Sequence, residues 1–179
     1  MSKSVLLSVH PDWCSLILAG DKTIELRKNA PDIPPPFKVY IYETKAKASE
    51  AWIDEDDHMI FRGVGMVIAE FKCDKIVPFS VPYPAYMDQV DQSLLDSACL
   101  TYLDAHHYLG HRAGYGWHIS ELIVYEKLKE LGEFKRWNRT EENAPCAHTK
   151  WLYEPCETCK ECQVKRAPQS WMYVEELKQ

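Results

Sequence analysis

The stretch ILAGDKTIELR, residues 17–27, decides how this chain folds. An apolar helical pattern that begins at His10-Pro11-Asp12 runs into Gly20, and glycine commonly ends helices because it adopts the left-handed conformation at little steric cost. From Thr23 to Arg27 polar and apolar side chains alternate, which predicts a strand. The stretch is therefore expected to form a helix end, a turn that carries Lys22, and a strand.

The predicted strand has two different faces. Period-two alternation places Thr23, Glu25 and Arg27 on one face, and Ile24 and Leu26 on the other. The apolar pair is expected to anchor the core. The polar face either borders water, as an incidental surface ion pair, or lines a ligand cleft.

Length and composition limit the function classes. The chain has 179 residues, 46% of them apolar, which predicts a single domain over residues 1–179 with a real core. The formal net charge of -6 disfavours nonspecific coating of a nucleic-acid backbone, but a local pocket could still hold one nucleotide. No signal peptide, no membrane-spanning run and an odd number of cysteines (seven) together predict a reducing, cytoplasmic location without a membrane partner.

The remaining pattern predicts an α+β fold. Strands are expected at residues 5–9, 38–44, 63–72, 121–125 and 170–174, a helix at 88–107, and a turn rich in glycine and aromatic residues at 112–120. The two glycines of the 63–72 segment indicate a bulge or a close backbone approach. The acidic segment 50–57 is either a solvated loop or a protein-interaction surface. Because no βαβ rhythm is present, we expect a small mixed β-barrel flanked by helices.

The central stretch is similar to the signature of the ASCH family, in which a helix ends in Gly and is followed by Lys, two variable positions, Glu, one position and Arg. Three further regions resemble the family in the same order: VLLSVHP at 5–11, GMVIAEF at 65–71, and the late strand and helical turn at 117–122 and 129–134. The resemblance implies a PUA-like barrel with a cleft beside the signature. It also implies RNA or a modified nucleoside as the ligand.

The residue types in this implied cleft suit a nucleotide. Arg27 offers a planar fork for a phosphate or a base edge, Lys22 can reach a phosphate, and Glu25 can accept a hydrogen bond from an exocyclic amine. Other candidate ligand contacts are Thr23 on the same strand face, the aromatic residues Tyr42, Trp117 and Trp171 as stacking surfaces, Glu70 on the central strand, and His118, which is either an acid or base or simply part of a strand.

Two kinds of hydrolase relative provide an alternative to binding. ASCH amidohydrolases that act on acetylated cytidine resemble this signature but use a Lys, a Thr three residues later and a distant Glu. Lys22 matches the lysine, whereas Glu25 stands at the threonine position, so these two residues are the catalytic candidates of a weakened triad. Other relatives are metal-dependent ribonucleases, for which Glu25 and Glu70 would be candidate ligands. A lowered Lys22 pKa would favour the amidohydrolase.

A cysteine-rich insert is predicted at residues 144–168. Cys146, Cys156, Cys159 and Cys162 lie within seventeen residues, a density that indicates a structural zinc site in a reducing compartment. Because the spacing is irregular, His148 could replace one cysteine as a ligand. The alternative is a set of free thiols on a flexible loop.

Overall fold

The computed structural model describes residues 2–45, 52–53, 59–60, 63–81, 90–110, 112–137 and 162–177. The strands are β1 (Lys3–Val9), β2 (Ile24–Arg27), β3 (Phe37–Glu43), β4 (Trp52–Ile53), β5 (Met59–Ile60), β6 (Val67–Cys73), β7 (Ile76–Phe79), β8 (Gly114–His118), β9 (Ser120–Lys129) and β10 (Trp171–Glu175). The helices are α1 (Pro11–Ala19), α2 (Gln92–Ser97) and α3 (Tyr102–Leu109), and a 3-10 helix covers Leu131–Glu133.

The largest sheet has five strands in the order β10-β1-β3-β6-β9. β1 runs parallel to β3, and the other pairs are antiparallel. A parallel pair needs a crossover connection, and here α1 and β2 supply it. The element order therefore carries residues 17–27 away from the large sheet and returns the chain to it at Phe37.

A second sheet has three strands in the order β2-β8-β7, all antiparallel. One face of this sheet packs on α2 and α3 through the buried side chains Leu26, Phe79, Leu94, Leu95, Ala105 and Leu109. The opposite face carries Trp117, which joins the apolar cluster of the large sheet. The three-stranded sheet thus lies between the helix pair and the large sheet.

The large sheet buries side chains on both faces. One face, which includes Val5, Val39 and Phe71, packs against α1 and Trp117. The other face, which includes Leu6 and Tyr40, packs against Phe134 in the segment after β9 and against Val164. Burial on two faces explains the nearly continuous apolar run of β1.

The predicted helix end and strand at residues 17–27 are confirmed. Gly20 adopts a left-handed conformation with φ 82°, and the backbone N–H groups of Asp21 and Lys22 both donate to the carbonyl of Leu16. The close approach predicted from the glycines before β6 is also confirmed. At Gly63 (φ 80°) an added Cβ would lie 2.0 Å from the carbonyl oxygen of Thr44.

Two sequence predictions were wrong. The helix predicted at 88–107 is interrupted, because Cys99 has a positive φ of 51° and Thr101 starts α3 with a capping box. The turn predicted at 112–120 is largely strand β8. Its glycines fit a closely packed strand, since a Cβ at Gly114 would lie 2.5 Å from the Leu109 side chain.

The described strands form three separate sheets and no closed ladder, so the barrel remains a prediction. Most of the acidic segment 50–57 lies outside the described residues, apart from the backbone pairing of β4 with β5. Most of the cysteine-rich insert also lies outside them. Among the described helices, none has the length and apolar character required to span a bilayer.

Candidate functional site

Lys22 is held at the junction of α1 and β2. Its side chain is only 2% exposed, and its Nζ donates to the carbonyl oxygen of Ala98 at 2.5 Å. Ala98 follows directly after α2, so this bond joins the turn to the end of that helix. The Nζ also lies 4.9 Å from the centre of the Trp13 ring. The lysine that sequence patterning places in a turn is therefore a buried, oriented cation.

Glu25 connects two cations on β2 and the preceding turn. Its Oε1 lies 2.8 Å from Nη2 of Arg27, and its Oε2 lies 3.4 Å from Nζ of Lys22. Glu25 and Arg27 are 6% and 8% exposed. The strand alternation thus places both side chains on the same face, as predicted, and that face is turned inward.

Arg27 also contacts the large sheet. Its Nη2 donates to the carbonyl oxygen of Ser8 at 2.7 Å, and its Nη1 donates to Oγ of Ser170 at 3.4 Å. The Nε is buried and has no hydrogen-bond partner among the described residues. Buried donors without a partner are uncommon in folded proteins. The guanidinium is therefore fixed in place while its buried Nε–H donor stays unused.

The cluster of Lys22, Glu25 and Arg27 contains two cations and one carboxylate. Burial lowers the pKa of Lys22 below its ordinary value, and the neighbouring Glu25 partly opposes this effect. Since charges are costly to bury without compensation, a cluster with one excess cation is a favourable place for an anionic ligand group.

These three side chains line a cavity of about 530 Å³. The remaining lining residues are Ser8, His10, Trp13, Leu26, Leu100, Asp104, His107 and Tyr108. A volume of several hundred Å³ with mainly apolar walls and a few convergent polar groups is typical of a small-molecule site. The cavity is therefore large enough for a nucleotide-sized ligand.

Several predicted ligand contacts lie away from this cavity. Thr23 is exposed just before β2, and its backbone bonds to Ser97 and Ile119. Tyr42 is buried in the cluster on the far face of the large sheet. Trp117 is fully buried, with its ring 5.8 Å from that of Trp171. Trp117 is not placed to stack a base because it fills the space between the two sheets.

Glu70 and His118 also lie elsewhere. Glu70 lines a second cavity, where it lies 3.0 Å from Nζ of Lys38 and accepts a hydrogen bond from the Tyr125 hydroxyl at 2.5 Å. The half-exposed His118 lies 2.6 Å from Asp74 and holds the pKa of that carboxyl below its ordinary value. Glu25 and Glu70 line different cavities, so the structure does not build the metal pair that the ribonuclease alternative requires.

The predicted zinc ligands Cys146, Cys156 and Cys159, and the substitute His148, lie outside the described residues. Cys162 is described and is buried. In the part of the chain that the structure describes, no group of three or more His, Cys, Asp or Glu side chains could hold a metal ion.

Sequence reasoning missed the cavity wall formed by α3. Asp104, His107 and Tyr108 stand at positions i, i+3 and i+4, which lie on one helix face. This spacing was readable, but its significance depends on α3 facing β2. Trp13 on α1 also lines the cavity.

Comparison with known proteins identifies the family. The model of the ASCH domain matches residues 7–175. The chain belongs to the ASCH family. Its fold is similar to that of ASCH from Zymomonas mobilis, with a TM-score of 0.55 and 15% identity over 97% of this chain and 88% of that chain.

Two mutant forms of the Zymomonas mobilis ASCH protein also match this ASCH domain. A serine-to-alanine mutant has a TM-score of 0.55 and 14% identity over 97% of this chain and 89% of that one. A tyrosine-to-phenylalanine mutant has a TM-score of 0.51 and 18% identity over 73% of this chain and 77% of that one. No curated protein matched the chain.

Proposed function

We propose that this ASCH domain binds RNA or a modified nucleotide in the cavity of about 530 Å³ beside β2. The observation that carries the proposal is the buried cluster of Lys22, Glu25 and Arg27, which supplies fixed charge at a cavity wall. ASCH domains as a family are thought to bind RNA. The acidic composition favours local recognition of one nucleotide or a short strand over coating of a long backbone.

Each part of the cavity suits a different part of a nucleotide. Arg27 and Lys22 are donors for phosphate or carbonyl oxygens. Trp13 and Tyr108 are aromatic side chains on which a base can stack. Since both oxygens of Glu25 face cations, its role in this proposal is to orient Lys22 and Arg27 rather than to accept from a base amine.

The test is a binding titration that is monitored by fluorescence anisotropy or calorimetry. The ligands are short single-stranded RNA, nucleosides, nucleotides and their modified forms. Arg27→Ala should weaken binding roughly tenfold or more, because a charge-assisted hydrogen bond is lost. Lys127→Gln is the matched control, since it removes an exposed cation on β9 outside the cavity lining. Equal affinities for the Arg27→Ala variant and the wild-type protein would exclude the cavity as the binding site.

A second candidate function is hydrolysis of a nucleoside amide such as acetylated cytidine. It is favoured by the lowered pKa of Lys22, because a lysine that acts as a general base must be neutral near the working pH. The lack of a suitable nucleophile among the described residues of the cavity argues against hydrolysis. Glu25 occupies the threonine position of the amidohydrolases, and the Ser8 hydroxyl donates to the carbonyl of Pro168 at 2.7 Å. We therefore rank binding first.

Hydrolysis is tested by incubating the protein with acetylated cytidine and measuring the release of acetate and cytidine. The binding proposal predicts no turnover. Turnover that is abolished by Lys22→Ala and retained by Lys127→Gln would establish the hydrolase instead and would overturn this ranking.

The cysteine-rich insert is proposed to bind one structural zinc ion through Cys146, Cys156, Cys159 and Cys162, with His148 as the alternative to one thiolate. Four thiolates complete a tetrahedral site and leave no open position for catalysis. Elemental analysis of protein purified without chelators should give about one zinc ion per chain. A content far below this value would favour free thiols.

A further inference from the structure

The buried charge cluster has unused donors. Nζ of Lys22 has three N–H groups, of which one bonds to Ala98 and one faces Glu25. In Arg27, Nη2 bonds to both Ser8 and Glu25, whereas Nε has no hydrogen-bond partner among the described residues. Lys22 and Arg27 both line the cavity, so a ligand that reaches this wall meets two cationic side chains.

The same cluster has few acceptors to offer. Both carboxylate oxygens of Glu25 face cations, and the carbonyls of Ser8 and Ala98 already accept hydrogen bonds from Arg27 and Lys22. A base edge usually combines donors and acceptors, so this cluster suits it poorly. A phosphate presents acceptors alone near neutral pH, and it is the part of a nucleotide that matches.

Charge and burial distinguish two kinds of phosphate. Lys22, Glu25 and Arg27 sum to one positive charge, and each side chain is more than 90% buried. An internal phosphate of RNA is a monoanion that is bonded to the chain on both sides. To reach this buried wall, it needs room for the RNA chain to enter and to leave. A terminal phosphate monoester approaches from one side and carries up to two negative charges.

We propose that this cavity binds the terminal phosphate monoester of a free nucleotide or of an RNA end, with the phosphate on Lys22 and Arg27. The inference rests on the proposed function and narrows it to one ligand class. The base of the terminal nucleotide is then placed to stack on Trp13 or on Tyr108, which also line the cavity.

The first experiment compares ligands that differ only in their phosphate. The set contains a nucleoside, its 5′- and 3′-monophosphates, a dinucleoside monophosphate whose only phosphate is a diester, and a short RNA with either a 5′-phosphate or a 5′-hydroxyl. Monoesters should bind at least roughly tenfold more tightly than the nucleoside and the diester, which is the effect of one charge-assisted hydrogen bond. The oligonucleotide pair separates an RNA end from a free nucleotide as the ligand.

The second experiment uses Lys22→Met and Arg27→Lys. Arg27→Lys keeps the charge and removes the Nε donor and the fork, so it tests recognition even where Arg27→Ala does not fold. Both variants should lose the preference for monoesters. The Lys127→Gln control should retain it, because that cation lies on β9 outside the cavity lining.

The third experiment measures the pH dependence of the ratio between monoester and diester affinity. The charged and titratable groups that face the phosphate position are Lys22, Glu25, Arg27 and Cys99, with His10, Asp104 and His107 on the cavity wall. The monoester differs from the diester in having a second acidic proton with a pKa of about 6. The ratio should therefore fall as the pH drops below about 6, where the monoester loses its second charge.

The outcomes separate the two proposals. A monoester preference that disappears in Lys22→Met and Arg27→Lys supports the inference. If the diester, or RNA with a 5′-hydroxyl, binds as tightly as the monoesters or more tightly, the inference is overturned and the RNA-binding proposal is left standing. An absence of binding by every ligand in the set overturns both.

Discussion

At the scale of single residues, Glu25 holds the buried cluster together. Replacing Glu25 by Gln leaves Lys22 and Arg27 as two buried cations without their shared carboxylate. We expect the free energy of unfolding to fall by about 3 kcal/mol, the usual cost of breaking a buried ion pair from one side. Chemical denaturation of Glu25→Gln measures this change.

The control for this prediction is Glu121→Gln. Glu121 pairs with Lys72 at 2.8 Å, but its side chain is 68% exposed. An exposed pair contributes little to stability because solvent screens it, so this variant should unfold almost like the wild-type protein. Similar losses in the two variants would show that burial of the Glu25 cluster has no special energetic role.

Lys22 gives a pH dependence of stability with a definite sign. Burial lowers its pKa in the folded protein, whereas the unfolded lysine keeps an ordinary value of 10.5. Between these two pKa values the unfolded chain binds more protons, so the contribution of Lys22 to stability rises with pH. The difference in unfolding free energy between wild-type protein and Lys22→Met should increase as the pH rises toward 10.5. A flat difference would contradict a lowered pKa.

At the scale of elements, the fit of β8 against its neighbours positions β2. A Cβ at Gly114 would lie 2.5 Å from the Leu109 side chain and 3.1 Å from the carbonyl oxygen of Arg27. Gly114→Ala should therefore destabilise the fold by about 1–3 kcal/mol through overpacking. It should also weaken ligand binding, because the backbone of Arg27 is displaced.

Gly132→Ala is the control for Gly114→Ala, since no heavy atom lies within 4 Å of the added Cβ. Thermal unfolding of the two variants provides the measurement. Equal melting temperatures would show that the close contact between β8 and β2 relaxes without cost.

The elements predicted correctly are those with local signals. α1 ends at a glycine in the left-handed conformation, and β1, β2, β3 and β10 follow clear apolar or alternating patterns. β8 was missed because Gly114 and Gly116 lower the strand propensity of the segment. These two positions need glycine because they pack closely on Leu109 and Ile24, and such tertiary contacts do not show in a sequence pattern. The break before Thr101 depends on a capping box that competes with an otherwise helical pattern.

The candidate site shows the same division. The alternation of β2 correctly predicted that Glu25 and Arg27 lie on the same strand face. Lys22, in the turn before the strand, contacts Glu25. The pattern could not show that Trp117 fills the core, that Glu70 faces a second cavity, or that α3 supplies a cavity wall. Each of these facts depends on how one element packs against another.

At the scale of the whole molecule, an acidic chain carries a small cationic cluster at one wall of a cavity. The net charge is -6, whereas the cavity cluster sums to +1. Neutralisation of one phosphate predicts a weak salt dependence, with a slope of about -1 in a plot of log affinity against log salt concentration. A titration with RNA at several salt concentrations measures it. A slope several times steeper would indicate a broad basic surface outside the cavity.

The most direct measurement of the central claim is a nuclear magnetic resonance titration of isotope-labelled protein with a nucleoside monophosphate. Binding in the cavity predicts shifts in the indole N–H of Trp13 and in the backbone amides of Glu25, Arg27 and Asp104, with little change at the amide of Lys38 in the second cavity. Shifts confined to the surroundings of Lys38, with the β2 amides unmoved, would contradict the claim that this cavity is the nucleotide site.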